Sequence, residues 1–432
     1  MSHPPIIIIC NGIAGTTLAK KMRKRSQQPI LIISKESDYF FARTALMYVY
    51  MGHLTWNQLE PYEQGFWKKN KIDLLRAEVT SIQQNEKTIV LSNGERLAYD
   101  RLVIATGSTP NRFGWKGQEL KGVQGLYTKQ DLEQLEAMTP RIKHAVIVGG
   151  GLIGIELAEM LHSRGIEVTF LVREKNFWNT VISATEGSMI EQHIVEHGIN
   201  LKTNTSLVEI CGDEEGNAVA VVTDKGEKIP CEFVGLTAGV RPNIDFLKGS
   251  DLNINRGILV DDFLQTNLTD VYAIGDCAEL REPKSNRRAI EAVWYVGRMM
   301  GETLALTLSG KKTAYQPSHW FNSAKFFDIE YQTYGVVAPE EHENEAHFIW
   351  QDSTKLRSVR FSYHPETERF LGINSFGIRL RHERFEKWLN DKANIDTVIK
   401  QLKEANFDPE FYTHYEQNIQ NAWQTQHNLI NH

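Results

Sequence analysis

Residues 149–154 read Gly149-Gly150-Gly151-Leu152-Ile153-Gly154, with glycines in the spacing G-x-G-x-x-G. Glycines at this spacing bind anions through the main chain. Gly149 permits a tight turn, Gly151 has no side chain to keep a diphosphate off the backbone, and Gly154 lets a helix pack close to the preceding strand. The elements needed to position them are present. Ala145–Val148 is a short apolar run, Leu152, Ile153, Leu157 and Leu161 recur at helical spacing, and Val168–Val172 is a second strand-like run. Strand, glycine turn, helix and strand within about 30 residues is the context in which this motif indicates a dinucleotide site. The helix N-terminus adds unbonded N–H groups and partial positive charge.

An altered copy opens the chain. Ile6–Ile9 leads into Cys10-Asn11-Gly12-Ile13-Ala14-Gly15, where Gly12 and Gly15 fit the second and third glycine positions and Cys10 replaces the first. A helix through Leu18, Ala19 and Met22 follows, with the basic cluster Lys20–Arg25 as a solvated face, and then the strand Ile30–Ile33. Glu36 stands about 20 residues after Gly15, near the spacing at which a carboxylate accepts bonds from ribose hydroxyls. Two such units imply two different nucleotides, brought together so that electrons pass between them.

With 432 residues, 41% hydrophobic and 24% charged, the chain has material for two or three globular domains. A net charge of −6 gives no reason to expect nucleic acid as partner. Cys10, Cys211, Cys231 and Cys277 are scattered with no C-x-x-C, so no metal or cluster ligand set is expected and a reducing cytoplasm fits. The opening MSHPPIIIIC lacks a basic leader and the length of a spanning helix, and reads as a buried strand.

The other elements follow from periodicity and turn residues. Residues 39–52 read as a helix with Arg43 near its start, and Glu78–Ile82 and Thr88–Leu91 as strands before an Asn93-Gly94 hairpin signal. Tyr99–Pro110 is a buried strand ending in a small-residue turn, Gly187–His197 a helix, and Val219–Thr223 pairs with Lys228–Val234. Val271–Ala278 is a strand carrying Asp276 at a glycine turn, and Ala289–Leu308 a long helix. From Ser318 the chain becomes aromatic and strand-rich, then helical from Ser375 to Leu402, and ends in a polar tail. Trp388, Leu389, Ile395, Val398, Ile399 and Leu402 are expected to pack on the domain rather than lie on a membrane. The basic run Arg379–Arg384 reads as a solvated helix face, with docking of an acidic carrier as the alternative.

Five motifs in order now carry a resemblance: Gly12/Gly15 with Glu36; Ile104-Ala105-Thr106-Gly107; Gly149, Gly151 and Gly154 followed by Glu156; Gly239-Val240-Arg241-Pro242-Asn243; and Ala273-Ile274-Gly275-Asp276. Over roughly residues 5–335 the chain resembles the FAD-dependent pyridine nucleotide–disulfide oxidoreductase superfamily. It looks most like the branch of ferredoxin and rubredoxin reductases and the flavoprotein part of nitrite reductases. The resemblance implies an α/β fold of two Rossmann-like dinucleotide-binding domains, doubly wound in three layers, plus a C-terminal α+β domain. The FAD domain is expected from 1–112 and 245–318, the NAD(P)H domain from 113–244, and the interface or acceptor domain from 319–432. Gly12, Ala14, Gly15, Lys35, Glu36, Arg43, Ala105, Thr106, Gly107, Gly275 and Asp276 are implied for FAD, and Gly239 for cofactor binding without assignment to either nucleotide. Gly149, Gly151, Leu152, Ile153, Gly154 and Arg173 are implied for NADH or NADPH, with Arg173 leaning to NADPH and Glu174 able to reverse that. Arg43 beside the flavin and Glu156 near the nicotinamide are implied as site-shaping or catalytic residues.

The chain departs from the disulfide reductases at one point. Arg43–Gly52 holds no cysteine, whereas those enzymes carry a cysteine or a C-x4-C pair there. A thiol relay needs a thiolate, so electrons must leave the flavin directly. The expected acceptor is a small carrier of ferredoxin, rubredoxin or flavodoxin type, and the expected assembly a monomer or homodimer. The alternatives are an NADH:quinone reductase at a membrane surface and a redox-sensing interaction protein resembling apoptosis-inducing factor.

Overall fold

The computed structural model describes residues 3–284, 287–407, 410 and 413–430. Its longer helices are α1 (Ile13–Arg23), α2 (Lys129–Met138), α3 (Leu152–Ser163), α4 (Ala184–Glu196), α5 (Trp294–Leu308), α6 (His382–Asn390) and α7 (Glu416–Ile430). Among the described residues no helix is long and apolar enough to cross a membrane. The chain divides into two compact units, 1–114 with 122–142 and 236–317, and 115–121 with 143–235 and 318–432.

The first unit is built on a five-stranded parallel sheet in the order Val271–Ala273, Arg101–Ile104, Ile6–Ile9, Ile30–Ser34, Ile72–Arg76. Ile6–Ile9 is central, and its four isoleucines are buried, as a strand covered on both faces requires. Helix α1 follows it directly, and α5 packs on α1 through glycines. A Cβ on Gly301 would lie 2.6 Å from the Ala14 carbonyl oxygen, and one on Gly297 would lie 3.3 Å from Ile13 Cγ2. The strands Ser108–Pro110 and Val240–Pro242 pair antiparallel, joining the chain's two crossings to and from the inserted segment.

The second unit repeats the pattern. Asn200–Lys202, Glu167–Leu171 and His144–Val148 run parallel, with Phe233–Leu236 beyond them, and α3 follows His144–Val148. The unit also contains a five-stranded antiparallel sheet, ordered Phe321–Phe326, Ile329–Gly335, Phe370–Phe376, Ser358–Tyr363, Ala346–Gln351. α6, Ile395–Lys400 and α7 bury Phe385, Trp388, Ile395, Val398, Ile399, Ile419 and Trp423 in one core with Phe348, Phe361 and Phe370 of that sheet. The α/β fold with a C-terminal α+β portion is therefore as expected, and the apolar residues of 388–402 pack inward.

Several boundaries differ from expectation. The long helix begins at Trp294, not Ala289, because the Ala289 carbonyl accepts from Leu280 N at 2.9 Å and Val293 is extended. The run Lys228–Val234 divides into two strands, although Cys231 N still donates to the Val219 carbonyl at 3.1 Å. Its first part completes a hairpin, and Phe233–Leu236 joins the parallel sheet. The polar tail is helix α7, with Ile419 and Trp423 buried one turn apart. The two units also cut the chain differently from the three expected domains, placing 122–142 with the first unit.

Candidate nucleotide-binding sites

The first turn is shaped by a residue that is not glycine. Cys10 has φ 87°, in the left-handed region, and Gly149 holds the equivalent place at φ 119°. Cys10 N donates to the Ile33 carbonyl at 2.7 Å, and buried Asn11 donates through Nδ2 to Ser37 O at 3.0 Å and Ser37 Oγ at 3.2 Å. These bonds hold the turn against the loop that carries Glu36. A Cβ added to Gly12 would meet nothing within 4 Å, whereas one on Gly15 would strike the Cys10 carbonyl and lie 2.9 Å from Ile8 Cγ2. Gly12 thus leaves space outside the helix end and Gly15 allows packing inside it. No side chain caps α1, so its first N–H groups lack a capping partner and face where an anion would bind.

The second turn has the same layout. Gly149 N donates to the Leu171 carbonyl at 3.0 Å, a Cβ on Gly151 would meet nothing within 4 Å, and no side chain caps α3. Leu152 and Ile153 open the helix, and Gly154 is buried. Both open cradles fit a diphosphate.

Around the first turn the unit gathers a charged cluster. Arg43 donates from Nη1 to Glu36 Oε1 at 2.8 Å and from Nη2 to Glu36 Oε2, and also to the Tyr127 carbonyl. Its guanidinium lies 4.6 Å from the Tyr127 ring centroid and 5.0 Å from that of Phe41. Burial would lower the Arg43 pKa, but the bonds and charge of Glu36 outweigh it and raise it, so the guanidinium stays protonated. Glu36 Oε1 also accepts from Lys129 N at 2.9 Å, at the start of α2. A carboxylate has about four acceptor sites, which leaves room for a ribose hydroxyl.

Asp276 follows Gly275, whose φ of 75° would bring a Cβ within 3.2 Å of Ala14 Cβ. Ser108 Oγ donates to Asp276 Oδ2 at 2.8 Å. Burial pushes the Asp276 carboxyl above the ordinary range, against the Ser108 bond and the Arg43 charge. Tyr127 Oη accepts from Ser108 N at 3.1 Å, and burial pushes its phenol up to about 12. Thr106 Oγ1 donates to Asn243 O at 2.8 Å, Asn243 N donates to Gly107 O at 2.9 Å, and Asn111 N donates to Gly239 O at 3.0 Å. Ala105 is buried, its N–H bonded to the Ile9 carbonyl at 3.0 Å. Lys35 stands apart, its exposed Nζ paired with Glu78 at 2.8 Å. Tyr127 and Ser108 were not anticipated, since no local pattern marks a residue that arrives at the site from a crossing segment.

In the second unit, burial and then the neighbouring Glu159 charge raise the Glu156 carboxyl to about 7. Arg173 is exposed and pairs with Glu174 at 2.9 Å. All four cysteines are free, and burial raises the thiol pKa of Cys10, Cys231 and Cys277. None of these three is poised as a thiolate.

Residues 4–301 match the family described as pyridine nucleotide-disulphide oxidoreductase. The chain belongs to this family. FAD and NAD(P)H are the family's cofactors. Among relatives, the assimilatory nitrate reductase electron transfer subunit of Bacillus subtilis (strain 168) is 27% identical over 282 residues, covering 65% of this chain and 36% of that protein. The chain thus spans about a third of that relative's length. Rubredoxin-NAD(+) reductase of Pseudomonas putida is 29% identical over 279 residues, covering 64% of this chain and 72% of the other. Among solved structures, a NAD-dependent persulfide reductase from A. fulgidus superposes with TM-score 0.87 at 22% identity, over 99% of this chain and 84% of the other. At that identity the likeness speaks for the fold alone, and it extends through the C-terminal sheet.

Proposed function

We propose that the chain is an FAD-dependent NAD(P)H oxidoreductase that passes electrons from flavin to a small redox protein of ferredoxin, rubredoxin or flavodoxin type. The observation that carries this reading is the segment after Glu36. It turns through Arg43–Ala45 and Leu46–Tyr50, buries Phe40, Phe41, Leu46, Met47 and Tyr50, and holds no cysteine. Bound FAD would supply a two-electron acceptor that releases electrons singly.

The chain's own residues bind and orient. The N-termini of α1 and α3 neutralise diphosphate charge. Glu36, held by Arg43, takes an adenosine ribose, and Asp276, held by Ser108, takes the region beyond the diphosphate. Arg43 remains cationic beside that site, and Glu156 holds or yields a proton near neutrality. Residues 1–112 with 245–318 serve FAD, 113–244 serve NAD(P)H, and 319–432 form the interface or acceptor portion. The names of the nitrate reductase subunit and the rubredoxin reductase support a protein acceptor, and four unpaired cysteines favour the cytoplasm.

A reductive titration of the FAD-loaded chain tests this reading. Complete reduction is expected at two electrons per FAD, followed by rapid reoxidation by an iron–sulfur carrier. Uptake of four electrons, or turnover with disulfides but with no one-electron acceptor, would overturn it. The same titration with NADH and with NADPH reads which donor the Arg173–Glu174 pair admits.

A further inference from the structure

In the second unit, His193 and His197 lie one turn apart on and just beyond α4, and Asp328 sits at the tip of the hairpin Phe321–Phe326/Ile329–Gly335. We propose that these three side chains bind one Zn2+ ion, which fastens the hairpin tip to the helix. One ligand atom from each residue lies within 4.8 Å of the other two. His193 Nε2 is 2.6 Å and His197 Nε2 3.8 Å from the same carboxylate oxygen, Asp328 Oδ1. Zinc bound at about 2.0–2.2 Å sets tetrahedral ligand atoms about 3.3–3.5 Å apart. The cluster therefore needs the His193–Asp328 edge to open and the His197–Asp328 edge to tighten slightly, with the two histidine ligand atoms within 4.8 Å of each other.

Independent observations show imidazoles oriented for metal. His197 Nδ1 lies 2.9 Å from the His193 carbonyl oxygen. That bond fixes the proton on Nδ1 and leaves the Nε2 lone pair turned toward Asp328, the outer bond by which metal-bound histidines are commonly held. The Phe327 ring stacks on His197 at 4.3 Å and 20°, which fixes the ring plane. His193 is 4% exposed and directs its Nε2 at Asp328 Oδ1, 2.6 Å away. The Asp328 side chain is 73% exposed, so water can fill the remaining coordination position. Two imidazoles and one carboxylate suit zinc, while magnesium and calcium take oxygen ligands. None of the three residues belongs to either nucleotide turn.

The test uses the FAD-loaded full chain, stripped with a chelator and titrated with ZnCl2 by calorimetry and thermal melting. One zinc per chain is expected, with a higher melting midpoint in zinc than in magnesium. Asp328→Asn keeps the shape of an exposed tip, and His197→Gln keeps a polar contact beside Phe327. Each is expected to weaken zinc binding by at least about tenfold. Cobalt(II) provides a second readout, giving visible ligand-field bands with the wild type that both variants lose. No zinc-dependent signal up to millimolar concentration would overturn the proposal and leave an ordinary histidine–aspartate pair. Equal zinc affinity in the wild type and both variants would overturn it by placing the ion elsewhere.

Discussion

Gly12 and Gly15 occupy the same helix turn, yet they do opposite jobs. Gly12 has an ordinary φ of −68° and open space at its Cβ, so an alanine there burdens only a ligand. Gly12→Ala is expected to change apoprotein stability by less than about 1 kcal/mol while lowering FAD affinity at least tenfold, read by denaturant unfolding and by flavin fluorescence on release. Gly15→Ala drives a methyl into the Cys10 carbonyl and Ile8, so the fold itself should lose about 1–3 kcal/mol. Cys10 bears strain of a different kind. At φ 87° a side chain is disfavoured, and Cys10→Gly should raise the unfolding free energy by about 0.5–1 kcal/mol.

Glu156 gives a pH signature at the same scale. Its folded pKa of about 7 stands above the ordinary 4.5, so between these values the folded chain holds a proton that the unfolded chain has released. Its contribution to stability is full below 4.5 and is lost as pH rises through about 7. Glu156→Gln should flatten that part of the stability profile in melts from pH 5 to 8. An unchanged slope would show that the group titrates normally. The glycines were legible in the sequence because backbone chemistry ties them to a fixed spacing. The role of Tyr127 was not, because its contact with Ser108 depends on how distant segments meet.

At the scale of elements, α1 matters most when it is held still, and α5 holds it. The sequence shows α5 as an apolar stripe rich in methionine, and that stripe is core: Val296, Met300 and Leu304 are buried. The spacing Gly297-x-x-x-Gly301 is equally visible, but its purpose depends on which helix lies opposite. Gly301 meets backbone and Gly297 meets a side chain, and backbone cannot yield as a side chain can. Gly301→Ala should therefore cost about 1–3 kcal/mol and loosen FAD through displacement of α1, whereas Gly297→Ala should cost less than about 1 kcal/mol. Equal effects in melting and in FAD retention would show that the helices slide apart freely. α7 was hidden by composition. Its apolar stripe is narrow, and only the partners of Trp423 reveal it, with the ring 5.0 Å from Phe348 and 5.6 Å from Tyr363.

At the scale of the whole molecule, the family match ends at residue 301, which invites a shortened reductase ending near Pro317. The second unit argues against one. Arg360 and Glu186 pair at 2.8 Å with side chains 2% and 0% exposed, and Glu186 also closes the capping box with Ser183 at the start of α4. Lys325 reaches Glu159 on α3 at 3.2 Å. Phe326 lies 6.0 Å from Phe177, and Tyr331 lies 5.4 Å from Trp178. Removing 318–432 would uncover Phe177 and Trp178. Each large apolar side chain returned to water costs about 1.5–3 kcal/mol, while Glu186 would simply become hydrated, so the loss is chiefly apolar. A total of about 3–6 kcal/mol corresponds to a melting point lower by about 6–24 °C for a unit of this size. The shortened chain is expected to aggregate on mild heating and to bind NAD(P)H poorly even when supplied with FAD. A monomeric 1–317 chain that melts within about 2 °C of the full protein and retains nicotinamide affinity would show that the C-terminal sheet rests on the nucleotide unit without supporting it.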